Sequence, residues 1–219
     1  MSIRYYFSWF DEGIPNNIAT RLKKDVIEKK SLVLISGNPE EEVFESDLIV
    51  KKWFSEIGIL FDEYHILNNK VTKKDMQNIL TEASIIFLCG GYPKIQNEFL
   101  VENDLGNTIK SCNSIIIGAS AGSMNMSFKW LSSKNTDQVV ENTSVVKGIG
   151  LDDFYFCTKA NQSITDKKLI DELNQNLHDT QTFIAIGESA IRIEDKEIGG
   201  YGEIYSLLNQ NITKMSPSF

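Results

Sequence analysis

From Ile3 to Ile117 the chain switches repeatedly between two hydrophobic rhythms. Short apolar runs stand at Ile3–Trp9, Ser31–Gly37, Ile59–Leu67, Ser84–Cys89 and Ser114–Ile117. Runs such as SLVLISG and SIIFLC are apolar at nearly every position, the pattern of strands covered on both faces. Between them the apolar residues recur at helical spacing. Ile14, Ile18, Leu22 and Val26 predict a helix over Ile14–Lys30, and Val43, Phe44, Leu48 and Phe54 predict one over Glu40–Ile57. Thr72 is placed to cap a helix over Thr72–Glu82, and another helical stretch follows Pro93. Beyond residue 150 the rhythm changes. Asp153–Cys157, Phe183–Ile186, Ala190–Glu194 and Glu203–Leu207 read as short strands, with a helix over Thr165–Leu177 and Gly199-Gly200 in one of the turns.

Strand–helix alternation followed by strands joined through turns predicts an α/β fold: a doubly wound, mostly parallel sheet flanked by helices and finished by C-terminal hairpin strands. The 219 residues suit one domain spanning 1–219, and neither a repeat nor a linker divides them.

Charge and cysteine usage narrow the function. A net charge of −8, with no compact Lys/Arg cluster, makes nucleic acid a poor partner. The N-terminus MSIRYYFSWFDEG lacks the layout of a signal peptide, and no apolar run is long enough to span a bilayer. Three cysteines, Cys89, Cys112 and Cys157, match no disulfide or metal-ligand spacing, and the first two lie in apolar runs as buried thiols do. A cytoplasmic protein without metal or cofactor is expected, acting on a small peptide substrate or ligand, with a homodimer compatible with the sequence and no membrane partner.

The sharpest chemical signal is Gly118-Ala119-Ser120-Ala121-Gly122, between the strand ending at Ile117 and a helix expected from Ala121 to about Leu131. Gly-x-Ser-x-Gly at a strand–turn–helix junction lifts a serine hydroxyl above the carboxyl edge of a sheet, and the small neighbours let the strained turn pack. The helix beginning there turns unpaired N–H groups toward any developing anion. A second signal is Gly90-Gly91 at the end of Ser84–Cys89. Strand ends converge at that edge, so the Gly91 and Ala121 N–H groups are candidates for an oxyanion hole around a Ser120 nucleophile. The plain alternatives are a packing turn and a glycine pair in a loop.

Taken together, LCGGYP, IIIGASAGSMNMS, GIGLDDFYF and AIGESAIRI resemble the peptidase E (aspartyl dipeptidase) and cyanophycinase family of serine peptidases, over roughly Leu32 to Leu207. The resemblance implies a fold like class I glutamine amidotransferases, cleavage of peptides at acidic residues, Ser120 as nucleophile, and Gly91 and Ala121 as oxyanion donors. It also marks two departures. The family's Gly-Gly-Asn loop reads Gly90-Gly91-Tyr92, which puts Tyr92 at the substrate-binding position. The family's basic histidine corresponds to Lys159, and the two histidines present, His65 and His178, stand elsewhere. Glu188 in AIGESA matches the acidic residue that orients the base, with Asp137 a weaker match. Three readings follow: a serine hydrolase using Ser120, Lys159 and Glu188; a catalytically impaired relative that binds a peptide or small acidic ligand; and a cysteine hydrolase using Cys157 beside Lys159.

Overall fold

The computed structural model describes residues 3–134, 140, 142–158 and 167–218. In chain order the elements are β1 (Ile3–Phe7), α1 (Asn16–Asp25), β2 (Ser31–Ile35), α2 (Glu45–Glu56), β3 (Glu63–Leu67), α3 (Lys73–Thr81) and β4 (Ile85–Leu88). They continue with α4 (Pro93–Glu102), α5 (Leu105–Ser111), β5 (Ile115–Ala119), α6 (Ala121–Met126), β6 (Lys129–Ser132), β7 (Ser144–Lys147) and β8 (Phe154–Cys157). The chain closes with α7 (Lys167–Leu177), β9 (Gln181–Glu194), β10 (Glu197–Leu208) and β11 (Asn211–Lys214).

Nine of these strands form one sheet in the order β11-β10-β9-β1-β5-β4-β2-β3, with β8 also paired to β9. The α/β reading is borne out. β1, β5, β4, β2 and β3 are mutually parallel, and β9, β10 and β11 complete the sheet as antiparallel hairpins. The pleat sorts the strand residues between two helical layers. In β4, Ile85 and Phe87 join α1 and α2 in one core cluster, while Ile86 and Leu88 face α3, α4 and α5 in the other. A third cluster packs α7 through Leu169, Leu173 and Leu177 against β8, β9 and β10.

β1 is the axis of this arrangement, and largely covered ion pairs hold it on both faces. Arg4 makes a two-pronged pair with Asp152, whose Oδ2 also accepts the Tyr6 hydroxyl at 2.7 Å. On the opposite face Asp25 accepts from Arg192 and from the Tyr5 hydroxyl. Removing one partner from such a cluster leaves a largely covered charge without its counter-charge. β1 is therefore pinned, and the carbonyls at its carboxyl end, Phe7 and Ser8, hold the turn at Ser120.

Several boundaries differ from the sequence expectation. The helix expected over Ala121–Leu131 stops at Met126, because residues 129–132 leave it to pair with β7. The expected strands Phe183–Ile186 and Ala190–Glu194 are one continuous strand, β9. Gly199-Gly200 is not in a turn. Both residues lie inside β10 opposite Arg192 and Ile191, and the turn before them is Asp195-Lys196. The C-terminal tail pairs with that strand: Gly200 N–H donates to Ser218 Oγ, and its carbonyl accepts the Ser218 N–H. Cys89 and Cys157 are buried thiols, whereas Cys112 is only partly covered.

Candidate functional site

β5 pairs with β4 so that Gly118 lies opposite Leu88. Two residues further on, Gly90 and Ser120 come level at the carboxyl edge of the sheet. A Cβ added to Gly90 would stand 3.4 Å from the Ser120 Cβ and 2.8 Å from the Trp9 ring. The two glycine motifs of the sequence therefore meet in space.

Ser120 has φ 49° and ψ −113°, backbone angles that side chains other than glycine's avoid. Holding a serine there costs about 1–3 kcal/mol, which the surroundings must offset. The Ser120 N–H is anchored to the carbonyls of Phe7 at 3.1 Å and Ser8 at 2.6 Å, and the Ser120 carbonyl accepts the Met124 N–H in the first turn of α6. The flanking glycines are dictated by contact. A Cβ at Gly118 would meet Met126 Sδ at 2.5 Å, and one at Gly122 would overlap the Leu88 carbonyl oxygen. Ser120 itself is partly exposed, and its Oγ has no hydrogen-bond partner among the described residues.

The loop carrying Gly91 is as tightly built. Gly91 has φ 153°, and a Cβ there would overlap the Gly37 carbonyl oxygen. That carbonyl accepts the Tyr92 N–H at 2.9 Å. The Gly90 carbonyl accepts the Ser46 hydroxyl at 2.6 Å, and the Gly37 N–H donates to the buried Asp47 carboxylate at 3.1 Å. The first turn of α2 thus holds the two loops that follow β2 and β4. Neither the Gly91 N–H nor the Ala121 N–H has an acceptor among the described residues. Unpaired backbone donors that face one point can stabilise a negatively charged oxygen there.

Burial pushes the Asp47 carboxyl above the usual carboxylate range, with hydrogen bonds from Ser36 and the Gly37 N–H opposing it. Burial together with Asp47 raises the neighbouring Cys89 thiol well above its ordinary value. Because folded Asp47 holds its proton more tightly than the unfolded residue, stability falls as pH rises from the ordinary aspartate value through the raised one. Asp47→Asn is accordingly expected to be more stable than the parent at neutral pH. The advantage should shrink on acidification, as urea midpoints measured across that range would show.

Tyr92 contributes its backbone to the loop, while its ring, 44% exposed, lies 6.0 Å from that of Phe44. Glu188 is an exposed residue of β9 whose Oε1 accepts the Asp11 N–H at 2.9 Å. Its neighbour Ser189 exchanges hydrogen bonds with Ser8, the residue whose carbonyl holds Ser120. Lys159 and Asp137 lie outside the described residues. β8, which ends at Cys157, runs parallel to β9 in the direction leading from Ile184 toward Glu188. His65 pairs with Val33 on edge strand β3, three strand spacings or about 14 Å from β5, and contacts Glu63. His178 is exposed just after α7, ten residues before Glu188. Neither histidine joins the Ser120 turn. Cys157 is fully buried, out of a substrate's reach. Among the described residues no group of three His, Cys, Asp or Glu side chains is placed to hold a metal ion, and no helix is long and apolar enough to cross a membrane.

Residues 42–199 match the family model for peptidase family S51. The chain belongs to this family. The matched span takes in both glycine loops, Ser120 and Glu188, so the family resemblance read from the sequence motifs is borne out. No curated protein sequence matches the chain. Among solved structures, a peptidase from an acI-B1 actinobacterium superposes with a TM-score of 0.76 at 14% identity, covering 100% of this chain and 96% of that one. A Listeria monocytogenes EGD-e protein carrying a peptidase E designation gives 0.70 at 16% identity, covering 92% and 98%. These likenesses are of fold.

Four residues that frame the candidate site escaped the sequence reading: Ser46, Asp47, Gln96 and Asn125. Gln96 left one usable trace. It falls on the buried face of α4 with Pro93, Phe99 and Leu100, where a polar residue needs a reason.

Proposed function

We propose that this S51 protein is a serine-type peptidase that works by acyl transfer through Ser120. The observation that carries the reading is the strained Ser120 turn set against the Gly90-Gly91 loop, with the Ser120 hydroxyl and the Gly91 and Ala121 amides all unpaired among the described residues. In the mechanism, Ser120 Oγ attacks the scissile carbonyl and forms a C–O bond. The carbonyl oxygen becomes an oxyanion that the Gly91 and Ala121 N–H groups stabilise. The tetrahedral centre collapses by expelling the amine, which takes up the proton lost by Ser120, and water then hydrolyses the acyl-enzyme.

A serine hydroxyl needs a base to surrender its proton. We assign this role to Lys159, which stands at the sequence position of the family's histidine. Lysine serves only when neutral, so activity would rise with pH through its titration. Glu188 is already engaged by the Asp11 N–H through Oε1, which leaves its second oxygen to approach a substrate amine.

The test is hydrolysis of dipeptides with an N-terminal aspartate, the substrate class implied by the family resemblance. Ser120-dependent release of the second amino acid supports the reading. Absence of turnover together with measurable binding of the same dipeptides would instead favour a relative that binds without cleaving.

A further inference from the structure

The two halves of the candidate oxyanion site stand on different elements, and α6, only six residues long, is too short to keep its own place. The connection between them runs through two buried amides. Gln96 on α4 and Asn125 on α6 are both fully buried. Gln96 Nε2 donates to the carbonyls of Ile35, Ser36 and Cys89 at 3.3, 3.0 and 3.0 Å. The Ser36 and Cys89 carbonyls immediately precede Gly37 and Gly90. Gln96 Oε1 accepts from Asn125 Nδ2 at 3.0 Å, which also donates to the Pro93 carbonyl at 2.9 Å. Asn125 Oδ1 accepts from Trp130 Nε1 and Asn97 Nδ2. Every polar atom of the pair is thus engaged. A fully satisfied buried network rigidifies and admits one arrangement, which an apolar contact of similar volume does not enforce.

We infer that the Gln96–Asn125 amide pair is a positioning device that sets the spacing between the Gly91 amide and the Ser120–Ala121 turn. Gln96 gathers the ends of β2 and β4, from which the glycine loops emerge. Asn125, one turn beyond Ser120, ties α6 to them. Both act through the loops rather than by touching substrate. The inference rests on the serine-peptidase reading of the same site.

The test is the kinetics of inactivation by a fluorophosphonate, whose phosphoryl oxygen occupies the place of the oxyanion once the serine attacks phosphorus and fluoride leaves. The variants are Gln96→Met, which keeps the volume, and Asn125→Asp, which keeps the acceptor for Trp130 and Asn97 but removes the donor to Gln96. Each is assayed below its unfolding temperature. The maximal inactivation rate is expected to fall about tenfold to a hundredfold with little change in the half-saturating probe concentration. The double variant should lose no more than the worse single one, since both break the same link. If Gln96→Met does not fold, Asn125→Asp decides. Folded variants labelled at the parental rate, or losses that simply multiply in the double variant, would overturn the inference while leaving Ser120 as the nucleophile. An unlabelled parent protein would overturn the serine reading itself, and the inference with it.

Discussion

Ser120→Ala is expected to lower dipeptide hydrolysis by at least about a thousandfold, because the proposed reaction has no alternative nucleophile. The loss should fall on turnover rather than on substrate binding, since alanine leaves both backbone donors in place. Stability should respond differently. At φ 49° and ψ −113° the serine occupies a conformation costing about 1–3 kcal/mol, and alanine is no better suited to it. Glycine is. Ser120→Gly should therefore be inactive yet more stable by about 1 kcal/mol, after allowing for the added freedom of its unfolded chain. Urea titrations of the three proteins would show the ordering. A serine that merely joins a strand to a helix would share the stability gain but not the loss of turnover.

Gly37→Ala is expected to have the largest effect on folding of any single methyl addition at the site. The new Cβ would overlap the Gly90 carbonyl oxygen and approach the Gly91 Cα to 3.2 Å. Both obstacles are backbone, and neither can rotate away. Gly90 is held by the Ser46 hydroxyl, and Gly37 by Asp47 and by the Tyr92 N–H that its carbonyl accepts. Relief requires the two loops to separate, with a stability cost of about 3 kcal/mol or more. Protein that does fold should have lost the alignment of the Gly91 amide with Ser120. Its turnover should fall out of proportion to the fraction folded. By contrast, Gly58→Ala meets no atom within 4 Å and touches none of these contacts, although its φ of 74° carries a local strain. It should lose some stability and keep full turnover per folded molecule.

What the sequence revealed, and what it concealed, divides along a physical line. The parallel strands were legible because strands covered on both faces are apolar throughout, as Ile85–Leu88 is. Ser120, Ala121 and Gly91 were legible because a cramped turn and a close approach impose small residues locally. Features set by distant pairing were hidden. Trp130 and Leu131 continue the apolar pattern of α6, yet they belong to a strand whose partner lies more than ten residues on, at Ser144–Lys147. Gly187-Glu188-Ser189 looks like a turn, but β9 passes through it. Gly187 at φ 59° and Gly202 at φ 78° lie on paired strands where the register shifts, between Tyr201 and Glu203, so the irregularity bends the hairpin without ending it. Asp47, Gln96 and Asn125 acquire their meaning only when α2, α4 and α6 converge on the glycine loops. No spacing along the chain encodes that meeting.

In the proposed reaction Ser120 Oγ is the attacking atom. The most direct measurement of this is mass spectrometry of the protein after reaction with a fluorophosphonate, followed by peptide mapping. One phosphonyl group per chain, carried on the peptide containing Gly118–Met126 and missing from Ser120→Ala, is the predicted result. An unmodified chain under conditions that label known serine hydrolases, or a label that persists in Ser120→Ala, would contradict it.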